Sequence, residues 1–157
     1  MTLSDLGNLG EFVGAIAVLV TLIYLALQIR QSSAATRAQI RQSLADSQIH
    51  YLNARATDPF LRDASAKVQA AQELDPNEIY GLSVHLTAHI RLFENYFAQY
   101  ALGTMDQEDW RAMREVMKLQ FQLPAYRNAF SSREFMWNSE FAVEVNQILG
   151  EIDGSAA

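Results

Sequence analysis

Two histidines, His85 and His89, stand four residues apart. On a helix that spacing puts both imidazoles on one face, where they can address one metal ion. A zinc-protease signature needs a glutamate directly after the first histidine, and Leu86 stands there. A di-iron bundle site needs Glu-x-x-His pairs, and the sequence has none. His50 would add a third ligand only if the fold delivered it. His85 and His89 are therefore the metal candidates, and beside a strongly apolar face they read more simply as structural residues. Arg91 and Glu94, one turn apart, read as an ion pair at the edge of a core. Tyr96, Phe97, Tyr100 and Trp110 could stack on a ligand, but at helical spacing they read as core aromatics. No glycine-rich phosphate loop, nucleophile elbow or kinase signature is present. The absence of cysteine excludes disulfides, thiolate metal sites and cysteine nucleophiles. The expectation is no catalysis and no cofactor, with a metal-dependent enzyme built on His85, His89 and Glu94 as the second alternative.

The element that dominates the chain is apolar. Phe12 to Leu27 is a run of sixteen residues without a charge, extendable to Leu9 through Ile29. At about 1.5 Å per residue these lengths cover roughly 24 and 31 Å, against a hydrocarbon core of about 30 Å. The segment is long enough to span a membrane. A secretory signal would carry positive charge before its apolar core, whereas Asp5 and Glu11 precede this one and Arg30 follows it. A buried helix of a soluble protein is the other alternative. Arg30, Arg37 and Arg41 precede the first downstream acid, Asp46, and by the positive-inside rule place the C-terminal side in the cytoplasm and the N-terminus outside. The same three arginines could hold anionic lipid headgroups. Glu11 is an acid beside the apolar run, but it sits at the outer end, where the first helical turns favour negative charge.

Along this helix Gly7, Gly10, Gly14, Ala17, Thr21 and Gln28 follow one another at spacings of three, four and seven. Small residues let membrane helices approach closely, and amide and hydroxyl groups can hydrogen-bond across the contact. The same count takes in Tyr24 between Thr21 and Gln28 and continues through Gln31, Ala35, Ala38, Gln42 and Ala45 to Ile49 and Leu52. The seam predicts self-association or docking on another membrane protein. An oligomeric pore with Thr21 and Gln28 facing a lumen is the alternative. Glycine and alanine are also common in membrane helices for no specific reason, and a straight helix drifts about 20° per heptad from such a seam.

All 12 Lys and Arg and 16 of the 18 Asp and Glu lie from residue 30 onward, within a formal net charge of −6. This mildly acidic remainder lacks the basic footprint of a nucleic-acid binder. Ser4 or Asp5 can cap the first helix, and no breaker appears until Asp58-Pro59. Ile40, Leu44, Ile49 and Leu52 give that helix late apolar positions. A short amphipathic helix follows over Phe60 to Gln72, with Phe60, Leu61, Ala64 and Val68 on one side. Asp75-Pro76 opens the clearest helix, Glu78 to about Leu102, whose Leu82, Leu86, Ile90, Phe93, Phe97 and Tyr100 form one face. Gly103 closes it. Thr104 with Gln107 is a candidate capping box for Asp106 to Gln122, a helix with Trp110, Met113, Val116, Met117 and Phe121 inward. Ser131 with Glu134 is a second candidate box. Ser139 opens a last helix with Phe141, Val145, Ile148 and Leu149 inward, closed at Gly150.

FVGAIAVLVTLIYLALQIRQ, SAATRA, RLFENYFAQYALGTMDQEDW and SSREFMW together resemble a widespread group of short, uncharacterised bacterial single-pass membrane proteins. The resemblance implies one N-terminal membrane helix and a helical remainder, and it implies no activity. The expected architecture is all-α: an outer N-terminus and transmembrane helix over 1–29, a juxtamembrane helix continuous with it over 30–57, a cytoplasmic helical domain over 58–150, and a flexible tail over 151–157. About four to five helices are expected beyond the span. The expected setting is the bacterial inner membrane. The expected partners are lipid and either the chain itself or another membrane protein, with no nucleic acid.

Overall fold

The computed structural model describes residues 3–155. Among these residues the fold is entirely helical: α1 Leu3–Thr57, α2 Pro59–Gln69, α3 Pro76–Ala101, α4 Gln107–Phe121, α5 Pro124–Ser131 and α6 Ser139–Ser155, with one 3₁₀ turn at Glu134–Met136. The chain divides into two compact units, Met1–Ile40 and Arg41–Ala157.

The described residues of the first unit all belong to α1. Ser4 already lies within α1, and the cap expected of Asp5 falls outside the described side chains. Gly10 through Gln39 are all exposed. Among the described residues this is the one helix long and apolar enough to cross a membrane, with a best mean hydropathy of 2.4 and no part of that window buried. Thr21 and Thr36 return their hydroxyl protons to the helix, donating to Ala17 O at 2.8 Å and Ser32 O at 3.0 Å.

In the second unit α3 is the central element, packing on α2, α4, α5 and α6. Its Ile90 and Phe93, with Met117 and Phe121 of α4, Tyr126 of α5, and Phe141, Val145 and Ile148 of α6, are the large fully buried side chains of the core. The part of α1 in this unit adds Leu44 and Tyr51, both buried, and Tyr96 donates its hydroxyl to Leu44 O at 3.3 Å. The face of α1 that packs is thus Leu44 and Tyr51. Of the other late apolar positions, Ile49 and Leu52 are 54% and 51% exposed. A seven-residue step returns to nearly the same side of a helix, whereas Ile49 lies five positions from Leu44 and falls on another side.

Local chemistry sets the boundaries. Asp58 caps α2, accepting from the amides of Phe60 and Leu61. Asp75 caps α3 and forms a reciprocal box with Glu78, and in both helices proline takes the first turn, where its missing N–H costs nothing. Gly103 follows α3 at φ +69, a left-handed conformation glycine adopts without strain.

Three expected boundaries are corrected. The cap of α4 is Asp106, which accepts from Asp109 N at 2.9 Å; Thr104 instead donates to Gln99 O at 2.8 Å and closes the preceding helix. Ser131 is the last residue of α5, so its pairing with Glu134 opens no α-helix. α6 continues past Gly150 to Ser155, and the part of the expected flexible tail that is described is helical. Ion pairs hold it there: Glu151 to Arg114 and Lys118, and Asp153 to Arg127.

Candidate functional site

The chemically richest cluster lies where the second unit's part of α1 meets α3 and α5. Helical spacing puts His85 and His89 on one face of α3, and that face is covered by the ring of Tyr51. Tyr51 stacks on both imidazoles, with centroids 4.2 Å from His85 and 4.0 Å from His89. His89 also packs on Phe93 at 4.2 Å. Its Nδ1 lies 2.6 Å from the hydroxyl of Tyr126, which lies 3.4 Å from the hydroxyl of Tyr51. His89 Nε2 and His85 Nε2 are buried and have no hydrogen-bond partner among the described residues.

Burial keeps this cluster neutral. It pushes His89 down to about 4, with His85 and Arg55 acting in the same direction. His85 is lowered by burial first and by Arg55 second, against a weaker opposing effect of Asp58. Tyr51 and Tyr126 are both raised, again chiefly by burial. None of the four polar rings carries a charge near neutral pH, and three of them, His89, Tyr126 and Tyr51, are linked by hydrogen bonds. A general base would have to be poised nearer the working pH.

The metal candidates are brought together, as their spacing predicts, but as stacked rings. Among the described residues no group of three or more His, Cys, Asp or Glu gathers around a common point. His50 is exposed and makes no such group with the pair. Arg91 and Glu94 do pair, and they clamp the start of α6. Arg91 donates to Met136 O at 2.7 Å and lies 4.8 Å from the centre of the Trp137 ring, while Glu94 accepts from Asn138 N at 2.6 Å. Tyr100 stacks on Trp110 at 5.3 Å, and Phe97 meets Trp110 and Phe141, so these aromatics hold α3, α4 and α6 together.

Of the small-residue seam, Gly7, Gly10 and Gly14 face open space: a Cβ on any of them would meet nothing within 4 Å. Ala17, Thr21 and Gln28 are exposed. Within the second unit the continuation of the seam, Gln42, Ala45, Ile49 and Leu52, is exposed as well. Arg30 and Arg37 are exposed. Arg41 pairs with Asp106 at 3.2 Å and Asp109 at 2.7 Å.

Sequence reasoning passed over Tyr51, Arg55, Tyr126 and Arg114. The spacing of Leu44, Gln48, Tyr51 and Arg55, in steps of four, three and four, marks the packed side of α1 in this unit and could have located the first two. No protein family, curated protein or solved structure matches the chain.

Proposed function

We propose that this chain is a membrane-anchored assembly protein. In this reading α1 crosses a bacterial inner membrane with its N-terminus outside, and the helical domain lies in the cytoplasm. The chain acts as a homo-oligomer or as a small accessory subunit of a membrane complex, by contact and not by catalysis. The observation that carries the reading is the uncovered face of α1: thirty successive residues, Gly10 to Gln39, are exposed, although the helix contains the most apolar stretch of the chain. So large an apolar surface is unfavourable in water and calls for lipid or protein around it. The open glycine positions allow another helix to approach closely, and in the second unit Ile49 and Leu52 of the same helix are exposed too. The arginines after the span and the resemblance to short single-pass proteins support the orientation and the setting.

Cross-linking of the full chain in membranes tests the assembly. Gly14→Leu should reduce the cross-linked oligomer, while Val13→Leu, off the seam, should not. Unchanged assembly in Gly14→Leu would overturn the seam. Because the chain has no cysteine, Ser4→Cys and Ser155→Cys test the orientation separately. An impermeant thiol reagent applied outside should label the first and spare the second.

A further inference from the structure

Beside the histidine–tyrosine cluster, the second unit contains a cavity of about 490 Å³ bordered by the end of α1, α2, α3 and α5. That volume falls in the range of sites for drug-sized molecules, roughly 300–1,000 Å³. Most of the wall is aliphatic, with Leu86 buried within it and Val68 and Leu123 partly open to solvent. Polar residues interrupt the wall as well: Gln69 and Tyr126, and the three on which the argument turns, Arg55, Ser65 and His85. Ser65 is only 9% exposed, and its hydroxyl, like His85 Nε2, has no hydrogen-bond partner among the described residues. A buried polar atom left unpaired is costly, so both are disposed to accept a ligand's hydrogen-bonding group.

Arg55 supplies the charge. Among the described residues it takes part in no ion pair, in contrast to Arg41, Arg62, Arg91, Arg114 and Arg127. The acid one turn onward, Asp58, forms no ion pair with it and accepts through Oδ1 from the amides of Phe60 and Leu61. The field of Arg55 nevertheless reaches the cluster, since it depresses both His85 and His89. A single cation in an aliphatic wall suits a single negative charge; a dianion such as a phosphate ester would call for a second cation. The planar guanidinium fork matches a carboxylate in two parallel hydrogen bonds.

We propose that this cavity binds a small amphiphilic carboxylate, with its carboxylate on Arg55 and its apolar body against Leu86, Val68 and Leu123. Ser65 and His85 supply neutral hydrogen-bonding groups beside it. This site stands independently of how α1 is placed, so its failure would leave the membrane reading untouched, and the reverse also holds.

Calorimetric titration of octanoate into the full chain in lipid nanodiscs, with empty nanodiscs as the blank, tests the assignment. Saturable binding is expected, with octyltrimethylammonium giving none. Arg55→Gln should weaken octanoate at least about tenfold, the scale of a lost charge-assisted hydrogen bond, and Arg55→Lys should restore part of the loss. Ala125→Trp, which places a large ring at the cavity wall, should abolish binding. Circular dichroism accompanies each variant, and Arg55→Gln decides if Ala125→Trp loses helicity. No saturable heat above the blank would overturn the proposal, as would equal binding of the cationic probe or unchanged affinity in Arg55→Gln.

Discussion

His89 Nδ1 and the Tyr126 hydroxyl lie 2.6 Å apart, and the contact joins α3 to α5 between two uncharged partners. The same hydroxyl stands 3.4 Å from that of Tyr51, so one oxygen links three helices. In Tyr126→Phe the ring keeps its edge contact with Phe121 at 6.0 Å, but His89 is left with two unpaired ring nitrogens. Leaving a buried polar atom unpaired costs about 1–3 kcal/mol. Denaturant unfolding followed by circular dichroism should show a lower midpoint at unchanged slope, the signature of lost stability without lost compactness. An unchanged midpoint would show that the network contributes nothing.

The same residue makes the fold sensitive to mild acid. Burial holds folded His89 at about 4, while an imidazole in the unfolded chain titrates near 6.5. Between those values the unfolded chain binds a proton that the folded chain refuses, so stability rises with pH. The contribution is complete above about pH 6.5 and is lost as pH falls toward 4. At about 1.4 kcal/mol per unit the full loss approaches ~3 kcal/mol. His85, lowered for the same reason, adds with the same sign. Glu78 and Glu151 are lowered from the ordinary carboxylate range, so their contributions fail only in stronger acid. Unfolding midpoints should therefore decline between about pH 6.5 and 4.5, and the decline should flatten in His89→Leu.

The second unit could be read from its sequence to the extent that its structure is local. Asp58-Pro59 and Asp75-Pro76 announce their helices because a carboxylate cap and a proline in the first turn act within four residues. The Leu86, Ile90, Phe93 face of α3 was legible because periodicity reports which side is buried. Periodicity does not report what covers that side. Tyr51 precedes His85 by thirty-four positions, so no local pattern connects them, and the sequence, which reads the histidine pair more simply as structural than as metal ligands, does not name the aromatic ring that covers it. Ser131 and Glu134 have the spacing of a capping box, yet α5 already occupies Ser131. A motif of two residues cannot exclude that outcome. The cavity at Arg55 depends on four elements and had no signature in sequence.

Arg114 shows how the end of α6 is held. From α4 its guanidinium donates Nε to Glu144 at 2.6 Å and its two terminal nitrogens to Glu151 at 2.9 and 2.6 Å. These hydrogen bonds, with Arg114 as the leading cause and Lys118 next, bring Glu151 down to about 2. The carboxylate thus stays charged, and the contact intact, through the whole neutral range. Arg114→Met should speed amide hydrogen exchange at Glu151 to Ser155 while leaving α3 protected, whereas Lys118→Met should have a smaller effect. Uniform acceleration across the unit would mean that Arg114 supports the entire fold and not this end of one helix.

Arg41 separates two reasons for keeping an arginine after an apolar helix. Its guanidinium pairs with Asp106 and Asp109, but the side chain is 70% exposed and the acids 59% and 46%. Exposed pairs contribute about 0–1 kcal/mol because water screens them and both side chains lose freedom. Asp106 has a second task, accepting the Asp109 amide at the start of α4, and losing such a cap costs about 0.5–2 kcal/mol. Asp106→Ala should therefore destabilise the domain more than Arg41→Gln does. High salt should erase most of the Arg41→Gln effect and little of the Asp106→Ala effect, since screening acts on the ion pair and hardly on the cap. If α1 crosses a membrane, a topological role belongs first to Arg30 and Arg37, which have no such pairing among the described residues. Arg30→Glu with Arg37→Glu should then redistribute the labelling of the Ser4→Cys and Ser155→Cys chains, and Arg41→Gln should leave it unchanged. Equal redistribution by Arg41→Gln would show that its charge acts on the membrane despite its two aspartates.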